Sequence, residues 1–319
     1  MKRSLTFISQ YLDHQLKKKN CDPSLIRGYL KDREYISGKR ISSAGEINAE
    51  IEKGILFNEP FMVGRFGANE LSAIRMFDFE VNSRYETVYH QMETCAGFFP
   101  ATLETCTKFK DLMISLISEA DVMGVWMLPF EKYYLQNYGK RDLKTTYLLD
   151  LEPWSAPENP WSAALKGKKV LVVHPFKDTI LSQYERRKEI FPGTHILPEF
   201  DLYVLKAVQT IAGEKDERFE TWFDALEWMY QEALKIDFDV AIIGCGAYGF
   251  PLAAKLKQAG KKAIHLAGAT QLLFGIKGNR WETNEAFAYV QKFFNDSWVY
   301  PGEADKPKEA KKVEGGCYW

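Results

Sequence analysis

Apolar residues follow two patterns along the chain. Unbroken apolar runs at Phe61–Phe66 (after Pro60), Val122–Trp126, Lys168–Val173, Asp239–Ile243 and Ala263–Leu266 predict strands covered on both faces. Thr194–Leu197 predicts a shorter one. Between these runs the spacing becomes helical. Leu71, Ile74 and Phe77 mark a helix over Glu70–Phe77, and Leu103–Ala120 and Pro251–Gln258 mark two more. Ile180–Ile190 is closed by Pro192-Gly193. Over Phe219–Leu234, Trp222, Phe223, Leu226, Met229, Tyr230 and Ala233 share one face. Gly260 stands where a C-terminal cap belongs.

Strands alternating with helices predict an α/β fold, a Rossmann-like, mostly parallel sheet flanked by helices. Three units are expected. The first is a helical N-terminal extension over 1–54, broken at Asp22-Pro23 and Ser42-Ser43, with Ile47–Ile55 helical. The second is the α/β domain over 55–300, with a proline-rich loop at Asp150–Pro160. The third is a charged C-terminal tail over 301–319 ending Gly315-Gly316-Cys317-Tyr318-Trp319. That ending suits either a disordered tail or a lid folded back over a site.

Composition narrows the class. The chain has 319 residues, 46% hydrophobic and 27% charged, with a net charge of −1. This is ordinary for a globular enzyme and lacks the basic field of a nucleic-acid binder. The 14% aromatic share suits core packing or stacking on sugars. Lys17-Lys18-Lys19 is a solvated helix end or a contact for an anionic membrane, which leaves peripheral membrane association open. Five cysteines without a CxxC pair point to a reduced, cytoplasmic protein. No apolar run approaches the ~20 residues of a membrane span, and homo-oligomerisation stays open.

Candidate chemistry gathers after the predicted strands. Gly244-Cys245-Gly246-Ala247-Tyr248-Gly249 fits G-x-G-x-x-G between a strand and a helix, where glycines and a helix N-terminus suit a pyrophosphate. A tight turn packed for its own sake is the structural alternative. A dinucleotide site would want an acid after the next strand, but His265-Leu266-Ala267-Gly268 stands there. Thr270 and Gln271 follow, as ligand contacts or a helix cap, and Lys277 and Arg280 lie where they could neutralise a diphosphate. His174 closes its strand as a phosphate donor or general base. Arg65 and Glu70 bracket a turn, as a functional pair or a salt bridge at a helix start.

The segment Arg65-Phe66-Gly67-Ala68-Asn69-Glu70-Leu71 resembles the Arg-Phe-Gly-Asp-Gly-Glu segment of GT-D-type bacterial glycosyltransferases. The stretches at His174-Pro175-Phe176, Gly244–Gly249, Gly268–Gln271 and Lys277-Gly278 extend the resemblance over roughly 55–295. It implies transfer of a sugar from a nucleoside diphosphate, a UDP-sugar favoured, to an oligosaccharide or lipid-linked acceptor in capsule, O-antigen or other surface polysaccharide biosynthesis. Glu70, Arg65 and His174 are the expected catalytic residues. Gly67, Asn69, Gly244, Gly246, Tyr248, Gly249, Gly268, Thr270, Gln271 and Lys277 are the expected donor-binding set. The resemblance also implies a divalent metal, Mn²⁺ or Mg²⁺, on an Asp-x-Glu pair. Here Ala68 replaces the Asp and Glu70 alone remains. Three outcomes follow. Glu70 shares a metal with Asp78 or Glu93, Glu70 is instead the base, or cationic side chains replace the metal. A sugar-nucleotide oxidoreductase and a non-catalytic nucleotide-binding scaffold are the rival classes.

Overall fold

The computed structural model describes residues 35–36, 38–214, 216–307, 310, 313 and 315–319. Most of the expected helical extension, including Lys17–Lys19 and the Asp22-Pro23 break, lies outside the described residues. What is described of it is a hairpin of β1 (Tyr35–Ile36) and β2 (Lys39–Arg40), followed by helix α1 (Ala44–Leu56). The Ser42-Ser43 break is the start of α1. Ser43 accepts from the Glu46 N–H (3.4 Å) while its own N–H donates to the Glu46 carboxylate (2.8 Å). Ile47, Ile51 and Ile55 then form one buried stripe.

Seven strands form one all-parallel sheet: β3 (Phe61–Arg65), β4 (Val122–Val125), β5 (Lys144–Tyr147), β6 (Lys169–His174), β7 (Asp201–Lys206), β8 (Val240–Ile243) and β9 (Lys262–His265). Their order is β5-β4-β3-β9-β8-β6-β7. The apolar runs of β4 and β8 are buried at every position, because side chains alternate between two covered faces. Leu171, Val173, Ala241 and Ile243 enter one core with residues of helices α2 (Ala68–Asp78), α3 (Tyr85–Ala96), α4 (Leu103–Ser115), α5 (Glu131–Tyr138), α7 (Trp222–Leu234) and α8 (Gly249–Gln258). Val170, Val172, Val240 and Ile242 enter the other core, with α1, α6 (Lys177–Glu185), α9 (Ala269–Leu273) and α10 (Asn279–Thr283).

The chain therefore leaves β6 toward β7 through α6 on one face, and leaves β8 toward β9 through α8 on the other. Adjacent strands that diverge in this way open a crevice at their carboxyl ends.

Some expected elements shift. Thr194–Leu197 is not a strand. Thr194 Oγ1 donates to Phe191 O (2.9 Å) and accepts from Ile196 N–H (3.3 Å), and Ser162 Oγ donates to Ile196 O (2.6 Å). The backbone groups a ladder would use are thus engaged by side chains. The strand comes later, as β7 on β6. The helix expected over Leu103–Ala120 ends at Ser115 and passes into a 3₁₀ turn, and the one over Ile180–Ile190 breaks at Arg186. α7 begins at Trp222 rather than Phe219, because Thr221 and Asp224 form a capping box there. No helix among the described residues is long and apolar enough to cross a membrane.

The charged C-terminal stretch packs onto the body. The buried Asp305 carboxylate accepts from the Thr179 N–H (3.0 Å) and hydroxyl (2.7 Å) at the start of α6.

Candidate functional site

A pocket of about 180 Å³ opens over the carboxyl ends of β3, β6, β8 and β9. Its walls include Arg65, Glu70, His174, the turn after β8, His265 and Tyr318-Trp319. The Arg65–Glu70 segment and the glycine turn, 175 residues apart in the sequence between Asn69 and Gly244, therefore face one space.

Each glycine of the turn after β8 has its own reason. A Cβ on Gly244 would lie 2.6 Å from Ala267 O and from Thr270 Cβ, so this glycine lets the turn after β9 close in. Gly246 has φ +58° and faces open space, with Ala96 O at 3.7 Å the nearest atom to an added Cβ. A Cβ on Gly249 would lie 2.0 Å from the His265 ring, so this glycine lets α8 approach β9. Gly244 and Gly246 both line the pocket, and Gly246 is the exposed one of the two. The Cys245 thiol lines the pocket, but burial pushes its pKa far up, which leaves it a poor nucleophile.

Gly67 is the N-cap of α2 and Glu70 its third residue. The Glu70 carboxylate folds back over the helix start. A Cβ on Gly67 would meet Glu70 Oε2 at 1.8 Å. Burial raises the Glu70 pKa, while its own backbone N–H and the Arg65 guanidinium pull it down. Arg65 ends β3, donates through Nε and Nη2 to Phe66 O (3.2 and 3.0 Å), and lies 4.7 Å over the Trp126 ring. Burial lowers its pKa and Glu70 opposes that. Arg280 lines the same pocket and lies 4.9 Å over the Tyr318 ring. The charge balance facing the pocket is therefore cationic, set by Arg65, Arg280 and the α2 N-terminus against one carboxylate.

Two buried histidines form part of the floor. His174 Nδ1 accepts from the Phe176 N–H (3.0 Å), which leaves Nε2 protonated and a donor. Burial pulls its pKa down to about 3. Of the two roles expected of His174, phosphate donor and general base, this geometry favours the donor. His265 Nδ1 lies 3.2 Å from Ile243 O and its pKa is likewise about 3, chiefly from burial.

Of the expected ligand contacts, Tyr248, Gly268 and Gln271 line the pocket and Thr270 and Lys277 do not, and each also has structural partners. Thr270 Oγ1 donates to Ile243 O (3.2 Å) beneath the surface. Gln271 Nε2 donates to Ile276 O (3.2 Å), Lys277 O (3.4 Å) and Tyr318 O (3.2 Å), which fastens the C-terminal segment. Lys277 turns away from the pocket to pair with Glu282 (2.8 Å), and Arg280 occupies the cationic place expected of both. Tyr248 stacks on Trp222 (4.9 Å between centroids) with its hydroxyl 3.2 Å from that of Thr210. Gly268 lies under Tyr318, whose ring an added Cβ would approach to 2.9 Å.

Glu70 is the one acidic side chain among the residues that line the pocket. Among the described residues no group of three or more His, Cys, Asp or Glu side chains is placed to hold one. Asp78 accepts from Tyr134 and Glu93 from Ala101 N–H, and neither lines the pocket. Glu70 sits on a helix N-terminus near Arg65, where a second cation is disfavoured.

The structure adds residues the sequence reading passed over: Trp126, His265, Cys95–Gly97 from the end of α3, and Val208–Ile211 after β7. Trp126 and His265 stand at the carboxyl ends of β4 and β9, so strand position was a usable signal for both. Cys95–Gly97 carries none.

No family model and no curated protein matches the chain. Two solved structures are similar to it, a selenomethionine-substituted domain of unknown function 1792 (DUF1792) and a structure of that domain described as having a distinct glycosyltransferase fold. Their identities are 11% and 10%, with TM-scores of 0.35. Each match covers 82% of this chain and 96% of the other. A likeness at this level fixes neither the site nor the activity.

Proposed function

We propose that the protein is a glycosyltransferase that takes a sugar from a nucleoside diphosphate, a UDP-sugar first, and passes it to a glycan or lipid-linked acceptor in surface polysaccharide biosynthesis. One observation carries the proposal. The positive-φ Gly246 backbone, Arg65 and Arg280 face one crevice at the switch point between β6 and β8. Such a crevice suits a diphosphate, with guanidinium groups and backbone N–H taking the place of a metal. In this reading an acceptor hydroxyl oxygen attacks the anomeric carbon. The bond from that carbon to the diphosphate oxygen breaks, the electron pair leaves with the diphosphate, and the hydroxyl proton passes to Glu70. Arg65, Arg280 and His174 Nε2–H stabilise the leaving charge.

The test joins binding to turnover. Saturating UDP at about a hundred times Kd should stabilise the full chain by about 2.7 kcal/mol in a thermal-shift assay, without added Mn²⁺. Arg65→Gln should weaken that effect, and Glu70→Gln should keep it while abolishing UDP release from UDP-sugars with acceptor present. The proposal fails if no nucleoside diphosphate shifts the melting temperature, or if Glu70→Gln turns over like wild type.

A further inference from the structure

A second cavity, of about 410 Å³, lies beyond the wall formed by Arg65, Trp126, Gly268, Arg280 and Tyr318. Those five residues line both spaces. The wall carries two guanidinium groups. Behind it the lining changes character. Leu148, Leu149, Leu151, Leu266 and Phe287 are aliphatic or aromatic, and no Ser, Thr, Asn, Gln, His, Asp or Lys contributes. Glu152 is the cavity's one carboxyl, buried and accepting from the Tyr289 hydroxyl (2.9 Å). At the rim, Trp126, Tyr147 and Leu149 expose 42%, 43% and 41% of their surface, so apolar area continues to solvent at the carboxyl ends of β4 and β5.

A sugar ring is a poor match for this space. Its hydroxyls would find few partners and would be desolvated at a cost. The Trp126 and Tyr318 rings, the usual platforms for a sugar face, already carry guanidinium groups at 4.7 and 4.9 Å. An apolar chain loses nothing by entering such a lining, and an anion at its head meets Arg65 and Arg280.

We infer that this cavity is the acceptor subsite and binds the lipid part of the acceptor, a long apolar chain bearing a phosphate, with the chain along Leu148–Leu151, the phosphate at the shared arginine wall and the attacking hydroxyl on a sugar carried by that phosphate. The inference rests on the transferase reading for the term acceptor. The ligand class follows from the cavity itself.

Isothermal titration of the full chain with farnesyl monophosphate below its micellar concentration, farnesol, inorganic phosphate and UDP tests it. Farnesyl monophosphate should bind about tenfold or more tighter than farnesol or phosphate alone. Leu149→Asp, at a half-exposed rim position, should weaken farnesyl monophosphate about tenfold and leave UDP affinity unchanged. Tyr147→Glu, also at the rim, should do the same and serves if the first variant folds poorly. Equal affinity for farnesyl monophosphate and phosphate, or rim variants with wild-type affinity, overturns the inference, and so does competition by a short oligosaccharide. Loss of UDP binding with farnesyl monophosphate binding intact would sink the donor reading and leave this one standing.

Discussion

Gly249 and Gly45 both lie in the first turn of a helix, yet alanine should act in opposite directions at the two. At Gly249, the first residue of α8, an added Cβ would fall 2.0 Å from Cε1, 2.3 Å from Nδ1 and 2.9 Å from Nε2 of His265. That ring is buried at the pocket floor, with Nδ1 against Ile243 O, so making room for the Cβ would push it off that bond and into the pocket. Overpacking a core costs about 1–3 kcal/mol. Losing the Nδ1 bond adds about 0.5–1.5 kcal/mol. The helical preference of alanine returns about 0.5–1 kcal/mol. The net loss is about 0.5–4 kcal/mol, or roughly 1–8 °C in melting temperature at about 2 °C per kcal/mol for a chain of this size. Gly45 in α1 is exposed and has nothing within 4 Å of the added Cβ. There alanine should raise the melting temperature by about 1–2 °C. Calorimetry on both variants measures the contrast. If Gly249→Ala melts at or above wild type, the third glycine of the motif is not set by packing against His265.

Two further outcomes follow from buried polar groups. Gln271→Met keeps the side-chain size but removes the donor to Ile276 O, Lys277 O and Tyr318 O. A loss of about 1–3 kcal/mol is expected, with faster hydrogen exchange at the Arg280 and Trp319 amides; unchanged exchange there would refute the fastening role. Burial raises the Glu152 carboxyl from 4.5 to about 8, so the folded chain keeps a proton that the unfolded chain releases within that window. Its contribution is present in full below pH 4.5 and is lost as pH rises toward 8, by at most about 1.4 kcal/mol per unit. His174 and His265, lowered to about 3, act oppositely, and their contribution is lost as pH falls below 6.5. Between pH 6.5 and 8, urea titrations should show wild type losing stability and Glu152→Gln losing less; parallel curves would exclude Glu152 as the cause.

The inner strands were legible in the sequence because both sheet faces are covered, so β3, β4, β6, β8 and β9 read as unbroken apolar runs. β5, with Lys144-Thr145-Thr146-Tyr147 on the sheet edge, is too polar for that signal, and β7 alternates. The glycine turn was legible because its motif falls between a strand and a helix. What each glycine does was not, since Gly244 and Gly249 answer to Thr270 and His265 across the fold. Thr270, Gln271 and Lys277 looked like ligand contacts from their place after β9, but their partners, Ile243 O, Tyr318 O and Glu282, are set by tertiary packing. Arg280 and Lys277 could not be told apart in sequence, because the chain turns into α10 at Gly278, between them, and that turn decides which of them faces the pocket.

Tyr318 and Trp319 wall the pocket, and the space left beside them, about 180 Å³, is below the roughly 300–1,000 Å³ of ordinary small-molecule sites. On the donor reading proposed above, a nucleoside diphosphate and this segment would compete for one volume. Observed affinity would then be the intrinsic affinity scaled by the fraction of molecules in which the segment stands aside. The anchors at Gln271, Asn279 and Arg280 set that fraction. The strength of a few hydrogen bonds to the C-terminal backbone would then act as a dial on donor affinity, adjustable by substitutions that never touch the donor.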